Sequence, residues 1–185
     1  MLEAMDRDEV ARSIAEVSLL RGSFTLRSGR TSRYYLDKYL FTTQPRILRA
    51  LGRMLGERIG TIERDTGKRV ERLAGAELGG VPLVTAASLE TGLPCVLIRN
   101  QRKGYGTERR LEGVLGAGET VLVVEDVATS GGQCVEAIRV LREAGARVLA
   151  VIATIDRQEG AREAVQGESV RFEALFTKRD LGIDD

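Results

Sequence analysis

Residues 121–133 decide the fold and read Val121-Leu122-Val123-Val124-Glu125-Asp126-Val127-Ala128-Thr129-Ser130-Gly131-Gly132-Gln133. The four leading apolar residues predict a strand buried on both faces, as in a parallel sheet. Two acids follow, then hydroxyl side chains and glycines, and then a helical pattern from about Gly132 to Ala144. Open α/β sheets bind ligands at the carboxyl ends of their strands, so we expect a ligand at this turn.

The residue types in this turn predict a phosphate beside a diol. Gly131 and Gly132 let the backbone approach a ligand closely, and the amides of a helix start attract phosphate. Thr129 and Ser130 add hydroxyl donors. Carboxylates repel phosphate, so the two acids are expected to accept hydrogen bonds from vicinal hydroxyls of the same ligand. A ribose 5-phosphate has both features. The alternative is a strand that ends in two acids, with a ligand-free cap on the next helix.

The rest of the chain alternates between short apolar runs and helical patterns. Before residue 121 the order is an apolar run at 72–76, a helix at about 81–90 and a run at 95–99; afterwards come a run at 147–156, a short helix at about 162–165 and a last strand at 170–177. This alternation predicts an α/β fold with a central, mostly parallel sheet flanked by helices. We expect a single domain over residues 1–185, with its core over about 41–185.

The N-terminal part differs in pattern from the core. Apolar residues recur at helical spacing between Asp6 and Leu20, with Asp6 available as N-cap. A hairpin is predicted over 23–36, and a helix over 44–62 that has Pro45 in its first turn. Residues 1 to about 40 are therefore expected to form a small hood over the sheet.

Composition narrows the chemistry. The 28 basic and 27 acidic residues give a net charge of +1, without the basic excess typical of proteins that bind nucleic acid or anionic membranes. The absence of histidine excludes His-dependent nucleophilic and acid–base catalysis and His-ligated zinc. Only four lysines stand against 24 arginines, so each lysine is worth inspection.

Cys95 and Cys134 lie in apolar contexts and are expected to be buried thiols. The short apolar runs and the acidic N-terminus predict a cytoplasmic protein without a membrane segment.

The whole of 121–133 resembles the phosphoribosyl pyrophosphate (PRPP) signature of the type I phosphoribosyltransferases. The resemblance implies that family's fold. It also implies PRPP contacts from the residues that follow the apolar run, which are Glu125, Asp126, Val127, Ala128, Thr129, Ser130, Gly131, Gly132 and Gln133.

The polar stretch at 99–112 follows a strand and contains glycines, which suits a mobile lid, although a solvated charged loop has the same composition. It resembles the catalytic loop of the orotate phosphoribosyltransferases. That resemblance implies pyrophosphate binding by Arg99 and Lys103, catalytic roles for these two and Asp126, and a homodimer in which the loop acts in the partner's site. Asn100 replaces a Lys common in the family, and Tyr105 stands where some members have His.

Three further stretches match the same family in the same order. Residues 75–80 resemble its pyrophosphate loop, with Gly79 where some members have Lys; a plain βα turn is the alternative. Residues 24–37 resemble its hood, which implies substrate contacts by Arg27, Tyr34 and Tyr35; a hairpin with aromatic packing is the alternative. The Asp156-Arg157 turn resembles a turn of the same family, and this resemblance implies that Arg157, together with Thr129, binds orotate. An ordinary surface ion pair is the alternative.

The resemblance implies transfer of ribose 5-phosphate from PRPP to orotate, which yields orotidine 5′-phosphate and pyrophosphate in the biosynthesis of UMP. Mg²⁺ is expected as cofactor, held mainly by the substrate and without protein ligands. Two alternatives stay open: transfer to another base, and a non-enzymatic regulator that senses PRPP.

Overall fold

The computed structural model describes residues 5–25, 31–100 and 110–184. The helices are α1 (Arg7–Ser18), α2 (Lys38–Thr42), α3 (Pro45–Thr66), α4 (Gly80–Thr91), α5 (Gly132–Glu143) and α6 (Ala161–Gly167), and a short 3-10 helix follows at Lys178–Leu181. The strands are β1 (Leu19–Thr25), β2 (Thr31–Leu36), β3 (Arg72–Ala76), β4 (Cys95–Ile98), β5 (Leu111–Glu112), β6 (Thr120–Ala128), β7 (Arg147–Asp156) and β8 (Arg171–Thr177).

The central sheet has six strands in the order β5-β4-β3-β6-β7-β8. Every neighbouring pair is parallel except β4 and β5, which are antiparallel. The predicted α/β fold with a mostly parallel sheet is therefore confirmed. The strand order reverses between β3 and β6, because β3 leads outward to β4 whereas β6 leads to β7 on the other side. Such a switch point opens a crevice at the carboxyl ends of the strands.

Strand β6 lies in the middle of the sheet, where both faces are covered by helices. Its apolar side chains alternate between the two faces, so each face receives two of them. Leu122 and Val124 pack into a core cluster with α1, α3 and α4, whereas Val121 and Val123 pack into a second cluster with α5 and α6. All four side chains are fully buried. Each such burial stabilises the fold by about 1.5–3 kcal/mol, so the alternation holds the turn at residues 125–133 on a rigid support.

The N-terminal elements follow the sequence patterns closely. Asp6 caps α1 in a capping box with Glu9, as predicted. The helix ends at Ser18 rather than near Leu20, because Leu19 already pairs with Leu36 in the β1–β2 hairpin. Helix α3 has Pro45 in its first turn and extends to Thr66.

Three elements lie outside the sequence predictions, and one of them is the 3-10 helix at Lys178–Leu181. Helix α2 has only five residues, too few for a periodic pattern, and it is anchored by the fully buried Phe41. Strand β5 has two residues at the sheet edge. Of the two cysteines, Cys134 is buried as predicted, but Cys95 is only half-buried, since it begins β4 close to the edge of the sheet. None of the helices described combines the length and apolar character needed to cross a membrane.

Candidate active site at the switch point

Four strands of the central sheet deliver the predicted residues to one edge. Gly79 follows β3, Arg99 follows β4, the acid pair ends β6, and Arg157 follows β7. Because neighbouring parallel strands end at the same edge, residues far apart in the chain converge there.

The acid pair is almost completely enclosed, with Glu125 2% and Asp126 1% exposed. Asp126 Oδ1 accepts a hydrogen bond from the Val127 amide at 2.5 Å, and Asp126 Oδ2 lies 2.8 Å from Lys38 Nζ. Glu125 Oε2 is buried and has no hydrogen-bond partner within the described ranges. Since unpartnered buried oxygens are rare and costly, this one is poised to accept a hydrogen bond from a ligand hydroxyl.

Burial controls the protonation of this cluster. Burial raises the pKa of Glu125 well above its ordinary range, the nearby Asp126 carboxylate adds to this, and the Lys38 ammonium opposes it. Burial alone would lower the pKa of Lys38, but the Asp126 carboxylate outweighs it and the net shift is upward. Lys38 is therefore a stable cation that faces two buried carboxyl groups.

The turn from β6 to α5 depends on one glycine. Gly131 has φ +81°, and a Cβ atom there would lie 2.9 Å from both Ala161 Cα and Ala164 Cβ. A side chain at Gly132 would meet nothing within 4 Å. Thr129 and Ser130 are exposed on this turn, directly before the amides of the first turn of α5, which have no intrahelical acceptors. The turn thus offers hydroxyl and amide donors to an anion.

Gly79 lies directly against the Asp126 carboxylate. A Cβ atom at Gly79 would lie only 1.6 Å from Asp126 Oδ2, so this carboxylate occupies the space of a side chain. The cation that contacts Asp126 comes from Lys38. Sequence reasoning missed Lys38, although the scarcity of lysine was a signal that could have directed attention to it.

Glu77 connects three of the loops around the site and was also missed. Its carboxylate accepts a hydrogen bond from the Asn100 amide at 2.7 Å. Its carbonyl oxygen accepts from Asn100 Nδ2 at 3.3 Å and from Gln133 Nε2 at 3.4 Å. The turns after β3 and β4 and the start of α5 are thereby held together.

Arg99 lies where the strand pattern predicted, at the end of β4. Its Nη1 is 3.5 Å from Glu112 Oε1, and its carbonyl oxygen accepts from the Arg110 guanidinium. Its buried Nε has no hydrogen-bond partner within the described part of the chain. Lys103 and Tyr105 of the predicted lid, and Arg27 of the predicted hood, lie outside the described residues.

Arg157 joins the N-terminal hairpin to the central sheet. Its Nη2 donates to Tyr34 Oη at 2.9 Å and lies 2.9 Å from Glu159 Oε1, and its guanidinium covers the Tyr34 ring. Its backbone amide donates to the carbonyl of Ala128 at 2.9 Å. Asp156 does not form the surface ion pair considered from the sequence, because it is buried and accepts from the Gln158 amide. The other predicted aromatic, Tyr35, is exposed and packs on Phe24.

Comparisons with known proteins agree with this geometry. A family model, the phosphoribosyl transferase domain, matches residues 41–177. An orotate phosphoribosyltransferase of Natronomonas pharaonis is 45% identical over 163 residues, which cover 88% of this chain and 89% of the relative. The crystal structure of Mycobacterium tuberculosis orotate phosphoribosyltransferase with Fe(III) dicitrate has a TM-score of 0.83 and 32% identity, and the match covers 97% of this chain and all of that one. The same enzyme in complex with PRPP has a TM-score of 0.80 and 30% identity, with the same coverage of both chains.

Proposed function

We infer that this chain, which belongs to the phosphoribosyltransferase family and within it to the orotate phosphoribosyltransferases, transfers ribose 5-phosphate from PRPP to orotate. The products are orotidine 5′-phosphate and pyrophosphate, in the route to UMP. The chain is thus a pentosyl-transferring enzyme of pyrimidine biosynthesis.

The observation that carries this function is the buried acid pair at the switch point, followed at once by a glycine-dependent turn and a helix start. Phosphate and carboxylate repel each other, so a ligand that satisfies both parts needs a phosphate at one end and hydroxyls nearby. PRPP has this arrangement, and the M. tuberculosis relative binds it.

The following residue roles are proposals. The hydroxyls and amides of residues 127–133 hold the 5-phosphate, and Glu125 and Asp126 accept hydrogen bonds from the ribose hydroxyls. Arg99 and Lys103 bind the pyrophosphate. Arg157 binds the orotate carboxylate with help from Thr129, and Arg27, Tyr34 and Tyr35 complete the substrate pocket from the hood.

Catalysis follows from these positions without a protein nucleophile. The bond between ribose C1 and the pyrophosphate oxygen breaks, and the pyrophosphate leaves with the electron pair. A bond between C1 and the base nitrogen forms, and the proton of that nitrogen passes to the departing pyrophosphate. Positive charge develops on the sugar while negative charge grows on the departing pyrophosphate, so cations at Arg99 and Lys103 stabilise the transition state. Holding both substrates in line accounts for a large share of the rate. A closed 99–112 loop excludes the water that would hydrolyse the sugar.

Mg²⁺ is the proposed cofactor, with the substrate as its main source of ligands. Within the described ranges, no group of three His, Cys, Asp or Glu residues could hold a metal ion. The buried acid pair with its free Glu125 oxygen suits hydroxyls of a ligand that itself carries the metal. When bound, Mg²⁺ would supply charge neutralisation on the pyrophosphate oxygens.

Orotate is favoured over other bases because Arg157, whose backbone amide is bonded to the Ala128 carbonyl at the end of β6, carries a guanidinium that can bind a carboxylate with two parallel hydrogen bonds. The curated relatives carry the same substrate in their names. A non-enzymatic regulator is disfavoured because Arg99 and Lys103 are retained.

We also propose that the enzyme is a cytoplasmic homodimer whose 99–112 loop acts in the partner's site. The resemblance of this loop to the catalytic loop of the orotate phosphoribosyltransferases supports the proposal.

A pyrophosphate-release assay with PRPP and a panel of bases, with and without Mg²⁺, tests the function. Release is expected with orotate and Mg²⁺ and not with adenine, guanine or uracil. Equal release with a purine, or PRPP binding without any turnover, would contradict the proposal.

A further inference from the structure

We propose that Lys38 is a positioning residue of this transferase, whose ammonium holds the Asp126 carboxylate in the orientation that the ribose hydroxyls of PRPP require. The inference rests on the proposed function and adds a residue from outside the signature stretch.

Lys38 is itself held firmly in place. It is the first residue of α2, whose cap Asp37 accepts a hydrogen bond from the Tyr39 amide at 3.1 Å. The Lys38 carbonyl accepts from Thr42 Oγ1 at 3.0 Å, and the fully buried Phe41 anchors the helix in the core. The ammonium therefore reaches Asp126 from a fixed point on the N-terminal side of the crevice.

Asp126 is constrained on three sides. The Val127 amide donates to Oδ1, Lys38 Nζ pairs with Oδ2, and Gly79 leaves room for Oδ2 only because it has no side chain. Lys38 is the more accessible member of this pair, since its side chain is 29% exposed whereas that of Asp126 is 1% exposed. Removing the ammonium leaves a buried carboxylate without its counter-charge, and such a group takes up a proton or rotates towards water. Either change removes an acceptor for the ribose hydroxyls.

A purely structural ion pair would have the same distance between Lys38 Nζ and Asp126 Oδ2, so the experiment must separate an effect on PRPP binding from an effect on stability. Lys38→Met is expected to raise KM for PRPP about tenfold or more, which matches the strength of a hydrogen bond to a charged group. KM for orotate should change by less than about twofold. Lys38→Arg keeps the charge and is expected to recover most of the affinity for PRPP. Lys68→Met, at an exposed position just after α3, is the matched control and should behave as wild type.

Direct calorimetric titration with PRPP and thermal unfolding accompany the kinetics. A lower melting temperature of Lys38→Met with an unchanged KM for PRPP would show a structural role and overturn the inference. Lys38→Ala is the second variant should Lys38→Met not fold, because it removes the ammonium and leaves room for water beside Asp126; an unchanged KM for PRPP there overturns the inference as well. A wild-type protein that neither binds PRPP nor releases pyrophosphate overturns the proposed function and this inference together, whereas an active wild type with unaffected variants overturns only the role of Lys38.

Discussion

Tyr34 and Arg157 are 123 positions apart in the chain, yet a single hydrogen bond joins their side chains. The planar guanidinium of Arg157 can bind a carboxylate with two parallel hydrogen bonds, provided that the orientation of the guanidinium plane is fixed. The Tyr34 hydroxyl accepts a hydrogen bond from the guanidinium, the Tyr34 ring packs against it, and the Glu159 carboxylate forms an ion pair with it. At the scale of single residues, the proposed binding of the orotate carboxylate by Arg157 therefore depends on the neighbours of Arg157 as well.

Tyr34→Phe should weaken orotate binding while leaving PRPP binding intact. The variant keeps the ring but loses the oxygen that accepts from Arg157, and a hydrogen bond to a charged group contributes about 1.5–3 kcal/mol. We expect KM for orotate to rise about tenfold, measured by steady-state kinetics with PRPP at saturation. Tyr39→Phe also removes a hydroxyl from an exposed ring, at a position outside the proposed substrate pocket, and is the matched control. Equal effects of the two variants would refute the positioning of Arg157 by Tyr34.

At the scale of elements, the β6–α5 turn can keep its shape only with glycine at position 131. We expect Gly131→Ala to lower the free energy of unfolding by about 2–4 kcal/mol, because left-handed backbone and contact with α6 both oppose a methyl group. KM for PRPP should rise as well, since the phosphate-binding amides shift with the turn. Urea unfolding and kinetics measure the two effects.

Gly132→Ala is the matched control for stability, because its methyl group would meet no atom within 4 Å. The free energy of unfolding should stay within about 1 kcal/mol of wild type. If both alanine variants unfolded at the same urea concentration, close packing of the turn against α6 would not be the reason for glycine at position 131.

At the amino ends of the strands, opposite the ligand crevice, an ion pair joins β3 to the segment before β6. Arg72, at the start of β3, donates to both carboxylate oxygens of Glu119, just before β6, over 2.5 and 2.8 Å. These hydrogen bonds lower the pKa of Glu119 to about 2. The pair therefore stabilises the fold above the ordinary pKa of Glu and loses this contribution as the pH falls through about 2.

Glu119→Gln should reduce the free energy of unfolding by about 1–2 kcal/mol near pH 7. The difference from wild type should shrink as the pH falls from about 4 towards 2, because wild-type Glu119 then becomes protonated as well. Urea titrations at several pH values measure this. Both KM values should be unchanged, since the pair lies at the amino ends of the strands, away from the ligand crevice. A raised KM would contradict this separation of stability from binding.

At the scale of the whole molecule, the proposed homodimer predicts that the 99–112 loop of one subunit serves the active site of the other. Lys103→Ala and Asp126→Asn each remove one half of the proposed machinery and should both be nearly inactive. If the 99–112 loop acts in the partner's site, mixing the two variants creates dimers in which one site combines both intact halves. Part of the wild-type pyrophosphate release should then return after mixing. Mixtures as inactive as their components, under conditions where light scattering shows exchange of subunits, would exclude action between subunits.

Much of this protein could be predicted from local sequence. The apolar run at 121–124, the acids at 125 and 126 and the glycines at 131 and 132 specify a buried strand, its carboxyl end and a tight turn into a helix. These features depend on side-chain periodicity and backbone freedom, which are properties of short segments. The fold class follows from the alternation of such segments along the chain, and the proposed ribose 5-phosphate contacts follow from the residue types in this turn.

Only the tertiary structure could decide which residues meet across the crevice. Lys38 lies in a five-residue helix without a periodic signal, and its pairing with Asp126 depends on how α2 packs against the core. The role of Gly79 is equally invisible in the sequence, because the missing side chain matters only once the Asp126 carboxylate fills its place. Charge pairing between distant segments depends on three-dimensional distance, which a local pattern does not encode.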